Sequence, residues 1–501
     1  MDLSPQNVKN KFFGIWQSSD STGQKVARGG FIVFFERFIV KGIYFIRTVI
    51  LARLLFPDDF GLFGLATLTM TFTEVFFQPG FSSAIVQEKG DVKKYLNSAW
   101  TFNLLRNIFL ALLLFFVVAP LAGNFFHNSD AVPLTRALAI IFVILGFENI
   151  GVALFQRNLE LNRQFFYRIT GITFEIIVVI ISAFILRNAW ALVLGAIANR
   201  FASVIASYIF HPYRPRLTFD FSGARHLFKF GKWIGASGVV MLFVSQGDNL
   251  MIGRLLDAQA LGFYQLAFAL GMLPANEIGR ALGNLLFPVY SKIQNDQERL
   301  KIAFIRIARI VFAVIIPAAF GLVALAHSIV NFVYGERWLP MVPILYVIVV
   351  CGLLKAFDYI ANPLLLGTGK VKTTTFILII QAVVMFSLVV PLTKLYGSVG
   401  TAWSVFSGLA IAEIIILFKL KKQLNISLWI ILKMLFLPLV AGALMFFAIR
   451  FFKGYIAADN VLMLILYIAF GMAVYFLGLF LLDKIFGRRF YESLIWIKQN
   501  I

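Results

Sequence analysis

With 501 residues, 60% of them hydrophobic, only 14% charged and a mean hydropathy of +0.86, the chain lacks the charge needed to cover a folded body in water. That balance excludes a soluble globular protein and leaves an all-α polytopic membrane protein, because apolar runs of about 20 residues cross a bilayer as helices. The net charge of +21 would suggest nucleic acid in a soluble chain, but here the basic residues sit mainly between apolar runs, where the positive-inside rule accounts for them with no nucleic-acid partner.

The first 29 residues are polar, with Asp2, Lys9, Lys11 and Asp20, and read as a cytoplasmic tail. The apolar run after them is too long for a secretory signal core, so the first helix is expected to act as an uncleaved anchor. About fourteen spans follow, at 30–52, 60–79, 98–121, 133–155, 165–186, 190–210, 233–253, 261–289, 304–326, 339–366, 373–392, 398–418, 429–450 and 461–482. Pro274, Pro317, Pro343, Pro363 and Pro391 predict kinks. The single Cys351 lies within a span and has no internal disulfide partner. The expected organisation is a tail 1–29, an N-lobe 30–211, a cytoplasmic linker 212–232, a C-lobe 233–422, an additional helix pair 423–484 and a tail 485–501.

Lys and Arg orient the spans. Arg157, Arg214, Lys292, Arg299, Lys370, Lys421 and Lys484 stand for the crowded side, and Arg53, Arg187, Arg254, Arg337, Lys394, Arg450 and Lys453 are the whole of the sparse one. The asymmetry is about fourfold, which puts both termini in the cytoplasm. The chain also repeats itself. Residues 53–66 align without gaps on 254–267, sharing the Arg, two Leu, a Gly, a later Leu and an Ala, and Asn124-Phe125-Phe126 echoes Asn331-Phe332-Val333. Two matches in the same order argue for duplicated six-helix lobes, related by an axis along the membrane normal.

Charges at depth cost at least ~2.5 kcal/mol each in lipid, so they are expected to face a polar interior. The basic set is Arg37, Lys41, Arg47, Arg106, Arg136, Arg200, Arg280, Arg309, Lys355 and Lys433, and the acidic set is Glu36, Glu74, Glu148, Glu175, Asp248, Glu277, Asp358 and Glu413. On the first helix Glu36, Arg37, Lys41, Tyr44, Arg47 and Thr48 fall within an arc of roughly 140°. Glu277, Arg280 and Asn284 share one face of the eighth. Two such stripes facing each other would line a central cavity. The alternative reading of Glu277 with Arg280, and of Lys355 with Asp358, is an internal salt bridge that only fixes packing. Arg136, Arg306 and Lys433, near helix ends, read as snorkelling residues.

Enzyme chemistry is not legible. Gly367-Thr368-Gly369-Lys370 ends like a phosphate loop, but it lacks the first glycine, and Val371 stands where magnesium needs a hydroxyl. His127, His211, His226 and His327 show no metal-ligand spacing, and nothing calls for a metal or a cofactor. The short outer loops count against a membrane glycosyltransferase, polymerase or ligase.

Leu51-Ala52-Arg53-Leu54-Leu55-Phe56-Pro57-Asp58-Asp59-Phe60-Gly61-Leu62 resembles the LARLLxPxDFG signature of bacterial polysaccharide transporters. These are the Wzx-type and colanic-acid-exporter-like flippases of the multidrug/oligosaccharidyl-lipid/polysaccharide superfamily. Residues 153–162, the LFPxxxxIQ-like segment 286–294, Tyr334-Gly335-Glu336-Arg337-Trp338 and Asn362-Pro363-Leu364-Leu365 continue the match over about 30–420. The resemblance implies two helical bundles around a cationic cavity. It also implies transfer of an undecaprenyl-diphosphate-linked oligosaccharide from the cytoplasmic to the outer leaflet of the bacterial inner membrane by alternating access. The partners it implies are the lipid-linked oligosaccharide, membrane lipid, and a polysaccharide polymerase with its chain-length regulator. Helical position and face, rather than the resemblance, select Arg37, Lys41, Arg47, Arg280 and Asn284 for the diphosphate and sugar, with Glu74, Asp248 and Asp358 as ion-coupling candidates. Because the interior is mixed in sign, a cation-coupled multidrug antiporter of the same superfamily stands as the alternative. A membrane scaffold or receptor is the third class.

Overall fold

The computed structural model describes residues 40–78, 93–158, 160–218, 222–455, 460–486 and 492. The tail 1–29 and the start of the first expected span, including Glu36 and Arg37, lie outside the described residues. Among those described there is helix and no strand. Lipid demands this, since a helix satisfies its own backbone hydrogen bonds.

The helices are α1 (40–54), α2 (Pro57–Phe76), α3 (93–126, with a π turn at Leu114–Val118), α4 (Ala131–Gly146), α5 (Leu161–Leu186), α6 (Trp190–Phe210) and α7 (Ser222–Leu255). Then follow α8 (Ala258–Gly271), α9 (Leu273–Lys292), α10 (Gln297–Ile329), α11 (Val342–Gly367), α12 (Val371–Leu424), α13 (Leu428–Tyr455) and α14 (Val461–Ile485). By length and composition, 8 helices of the described residues are apolar enough to cross a membrane. The protein is a multi-pass membrane protein.

Several boundaries depart from the hydropathy reading. The expected span 261–289 is broken at Met272 into α8 and α9, with Pro274 in the first turn of α9, where its missing N–H costs no helical bond. The expected span 133–155 stops at Gly146, and a 3-10 turn at Ile150–Val152 follows. Helix α7 already begins at Ser222, within the segment read as a linker. At ~1.5 Å per residue, α10 exceeds the bilayer core, so its first turns with Glu298, Arg299 and Lys301 project toward the headgroups.

Helix α12 merges two expected spans, 373–392 and 398–418, but it is no straight rod. Gly408 packs against Gln381 and Met385, and the buried hydroxyls of Thr393 and Thr401 lie 2.7 Å apart, so the two arms fold back on each other. Gly397, at φ 59° and ψ −143°, makes the turn. That region is closed to residues with a Cβ. Gly397→Ala is therefore expected to destabilise the protein by about 1–3 kcal/mol, read as a lower midpoint in thermal unfolding of the detergent-purified protein.

The two aligned segments found in the sequence both join a helix end to a helix start, and the starts fall at matching positions, Pro57 in α2 and Ala258 in α8. Their caps differ. In α2 the Asp59 carboxylate accepts from the Phe56 backbone N–H at 2.8 Å. In α8 the Asp257 carboxylate accepts from the Ala260 N–H at 2.7 Å. Either bond satisfies one of the donors that a helix start leaves open.

The chain divides into two compact units, Met1–Ser245 and Gln246–Ile501. The first packs Ala66, Met70, Leu110, Leu114, Leu138, Phe142 and Val193 from α2, α3, α4 and α6. The second has a larger core running from Phe304 and Ile316 of α10 through Ile360 of α11 and Ile416 of α12 to Met445 and Tyr475. Tyr475 of α14 is fully buried, and its hydroxyl donates to the Ala313 carbonyl at 3.0 Å, tying the last helix to α10.

Candidate substrate-binding and coupling residues

In the first unit, Arg47 on α1 meets Glu175 on α5 at 3.1 Å. The same carboxylate accepts from the Tyr44 hydroxyl at 3.0 Å and from the Asn199 amide on α6 at 2.7 Å. The Arg47 guanidinium lies 5.5 Å from the Tyr44 ring centroid. Three helices thus converge on one carboxylate. Gly171 permits this approach, because a Cβ there would stand 2.3 Å from the Ser203 hydroxyl of α6. The stripe expected on the first helix therefore exists as far as it is described, and its Arg47 faces a carboxylate that hydropathy placed 128 residues away. Lys41 is exposed on α1, and Arg37 lies outside the described residues.

Helix α6 carries Arg200, one of the basic residues expected at depth though not among those selected for the ligand, on a polar stripe. At ~100° per residue, Asn199, Arg200, Ser203 and Ser207 fall within an arc of about 100°. The exposed Trp190, Leu194, Phe201, Ile205 and Ile209 fill a separate apolar arc of similar width, the face suited to lipid. Arg200 is exposed on the polar side, within electrostatic reach of Tyr44, Glu148 and Tyr167. Both nearby carboxylates already accept from other donors. Glu175 is held as above, and Glu148 accepts from the Tyr167 hydroxyl. Glu74 lies in the last turn of α2, within electrostatic reach of Glu148 and Arg106. Arg106 donates to the carbonyls of Phe77, at 2.7 Å, and Glu74, at 3.2 Å. A cation at a helix C-terminus suits both the open carbonyls and the dipole.

In the second unit, Lys355 pairs with Asp358 at 2.6 Å, and Asn362 donates to the other Asp358 oxygen at 3.4 Å. Tyr359 of the same helix donates to Asn276 of α9 at 2.9 Å. Glu413 on α12 is only 4% exposed, lies within electrostatic reach of Lys355 and Asp358, and neither of its oxygens has a hydrogen-bond partner among the described residues. Asp248, also 4% exposed, accepts from the fully buried Tyr264 hydroxyl at 2.7 Å and from the Asn249 N–H at 2.8 Å. Of the coupling candidates, Asp248 is thus enclosed by donors, Asp358 is paired to Lys355, and Glu74 is half-buried. Arg280 and Asn284 belong to α9, and their side chains lie outside the described residues.

Outside the spans, the His211 ring has an ordinary structural task. Its Nδ1 accepts from the Tyr213 N–H at 3.1 Å, and burial lowers its pKa, so it stays neutral.

The family described as Polysaccharide biosynthesis protein matches residues 50–343. The lipopolysaccharide biosynthesis protein WzxC of Escherichia coli (strain K12) is 24% identical, over 72% of this chain and 74% of its own. An uncharacterized membrane protein in the cps region of Klebsiella pneumoniae is 28% identical, over 87% of this chain and 91% of its own. Among solved structures, the lipid II flippase MurJ in an inward closed conformation superposes with a TM-score of 0.74, covering 91% of this chain and 98% of that one at 17% identity. At that identity the superposition speaks for the fold alone.

Proposed function

This chain belongs to the polysaccharide biosynthesis protein family, and from that premise we propose that it is a flippase, not an enzyme, that moves an undecaprenyl-diphosphate-linked oligosaccharide across the bacterial inner membrane. It works by alternating access, from the cytoplasmic to the outer leaflet, with fourteen spans, two six-helix lobes plus a terminal pair, and both termini in the cytoplasm. The diphosphate travels in a cationic interior and the polyprenyl tail stays in the bilayer.

The observation that supports this most is the polar face of the first unit. There an exposed Arg200 and the Glu175-bound Arg47 stand among carboxylates that already accept from other groups. A diphosphate carries at least two negative charges, and low dielectric makes them costly to expose. Arginine answers with planar, paired donors that do not deprotonate. Arg37, Lys41, Arg280 and Asn284 are the further candidates for holding this ligand.

The deciding experiment replaces Arg37, Lys41 and Arg280 by alanine, together with Arg47→Met and Glu175→Leu so that no charge is left stranded, in a strain whose only such flippase is this protein. The variant is expected to reach the membrane and to let lipid-linked sugar accumulate on the cytoplasmic side. Full flipping at normal abundance ends the reading.

An ion gradient is the proposed energy source. Glu74, Asp248 and Asp358 are its candidate carriers. Lys355 between Asp358 and Glu413 adds one more, since one lysine facing two carboxyls leaves room for an exchangeable cation. Glu413→Gln is expected to keep a basal rate in vesicles but lose most of its acceleration by an imposed gradient. Acceleration equal to wild type would remove Glu413 from the coupling path.

A further inference from the structure

Helices α10 and α13 and the end of α14 enclose a cavity of about 350 Å³ within the second unit. Two cations line it, Arg309 of α10 and Lys433 of α13, and the remaining wall is almost wholly apolar, with Trp429, Phe436, Pro438 and Phe486. Lys433 lies 5.4 Å from the Trp429 ring centroid, and Phe436 meets Phe486 edge to face at 6.2 Å. The cavity sits at the end of the unit where α13 starts and α14 finishes. Exposed Lys419, Lys421, Lys422 and Lys484 crowd the chain around those two points.

Lys433 stands on the outer face of α13. Its neighbours there are Trp429, 62% exposed, Leu432, 58%, and Phe436, 52%, an apolar surface suited to lipid. A lysine on a lipid-facing arc, beside a tryptophan at a helix start, sits at headgroup depth. The opening therefore admits a molecule from the bilayer, and its occupant needs an anionic head and apolar tails. A cavity of this size holds a phosphate and the glycerol beneath it.

We propose that this cavity binds the phosphate of an anionic glycerophospholipid between Arg309 and Lys433, with the acyl chains lying along α13. Basic pockets between helices at the positively charged membrane face suit such headgroups. The surrounding lysines raise the local concentration of anionic lipid, and the aromatic walls pack its glycerol and first methylenes.

The test measures lipid retained by the full-length protein after delipidation in a neutral detergent, by native mass spectrometry. Dioleoylphosphatidylglycerol and tetraoleoyl cardiolipin are titrated against dioleoylphosphatidylcholine. Wild type is expected to retain both anionic lipids over phosphatidylcholine. Lys433→Gln is expected to weaken retention about fivefold, the value of one charge near a membrane surface. Adding Arg309→Gln should weaken it by about as much again. Lys453→Gln, at the opposite end of α13, should leave retention unchanged. Should the double variant aggregate, the exposed Lys433→Gln alone decides the matter. Unchanged retention in Lys433→Gln, or equal retention of phosphatidylcholine, overturns the proposal. So does displacement of phosphatidylglycerol by undecaprenyl phosphate at equal or lower concentration, since the site would then belong to the substrate carrier.

Discussion

Arg200→Ala is expected to cut flipping by about tenfold to a hundredfold, the worth of a charge-assisted hydrogen bond to a phosphate, while the protein still accumulates in the membrane. Arg200 is exposed, so its loss opens no cavity in the core of α2, α3, α4 and α6. The carboxylates near it keep the donors they have, Tyr167 for Glu148 and Arg47, Tyr44 and Asn199 for Glu175. Arg200→Lys should recover part of the rate, because the charge survives and the planar fork does not. Membrane abundance by immunoblot and accumulation of lipid-linked sugar, measured in the same cells, separate binding from folding. An Ala variant that flips at the wild-type rate at normal abundance would show that charge at this position is irrelevant to transport.

Glu175→Ala should have the larger effect on the protein itself. It strands the mostly buried Arg47, whose side chain is 15% exposed, and strips Tyr44 and Asn199 of their shared acceptor. Removing one member of a buried pair costs about 3–5 kcal/mol, because the other charge stays behind without compensation. Abundance should collapse. Replacing both partners together, Arg47→Met with Glu175→Leu, removes the stranded charge and is expected to restore abundance. It should not restore flipping if Arg47 also serves the diphosphate. Recovery of both in the double variant would make the pair a packing device only, and recovery of neither would place the defect in the surrounding helices.

Much of the helical layout was legible because lipid imposes a crude rule on sequence. Runs such as 165–186 and 461–482 return almost unchanged as α5 and α14, since hydropathy and length answer directly to bilayer thickness. Breaks inside apolar sequence are legible only where a proline marks them: Pro274 signals the one at Met272, between α8 and α9, whereas the π turn at Leu114–Val118 involves no change in polarity, so a scale that weighs side chains passes over it. The turn at Gly397 is intermediate, for its glycine and its distance from Pro391 were visible, but the hydroxyl pair across it was not.

The polar residues were legible as a set and not as a network. Helical periodicity places Arg47 on a stripe, yet only the fold shows that Glu175 and Asn199, from two later helices, hold it. It also brings Glu413 into reach of Lys355 and Asp358 from 55 residues further along. Lys355 with Asp358, three apart on one helix, was readable as a pair and forms one. Arg200 stands in the basic set that the sequence shows at depth, but the residues selected for the diphosphate lie on helices denser in charge. On α6 its companions are hydroxyls and an amide, whose weak hydropathy signal hides a stripe that a wheel reveals.

The caps of α2 and α8 bear on how the chain arose. Where both bonds occur together, a side chain at the helix boundary and another three residues on hold the start reciprocally. One helix here has only the second of these, through Asp59, and the other only the first, through Asp257. A duplicated ancestor with both would start with a redundant clasp in each copy. Each copy of such a start could drop one half without losing its helix, and the two helices here hold different halves. The gapless alignment of 53–66 on 254–267 pairs Phe56 with Asp257 and Asp59 with Ala260, so the letters differ at the residues that do the same job. If the two segments descend from one, their kinship would show in which backbone donors are satisfied rather than in which letters coincide.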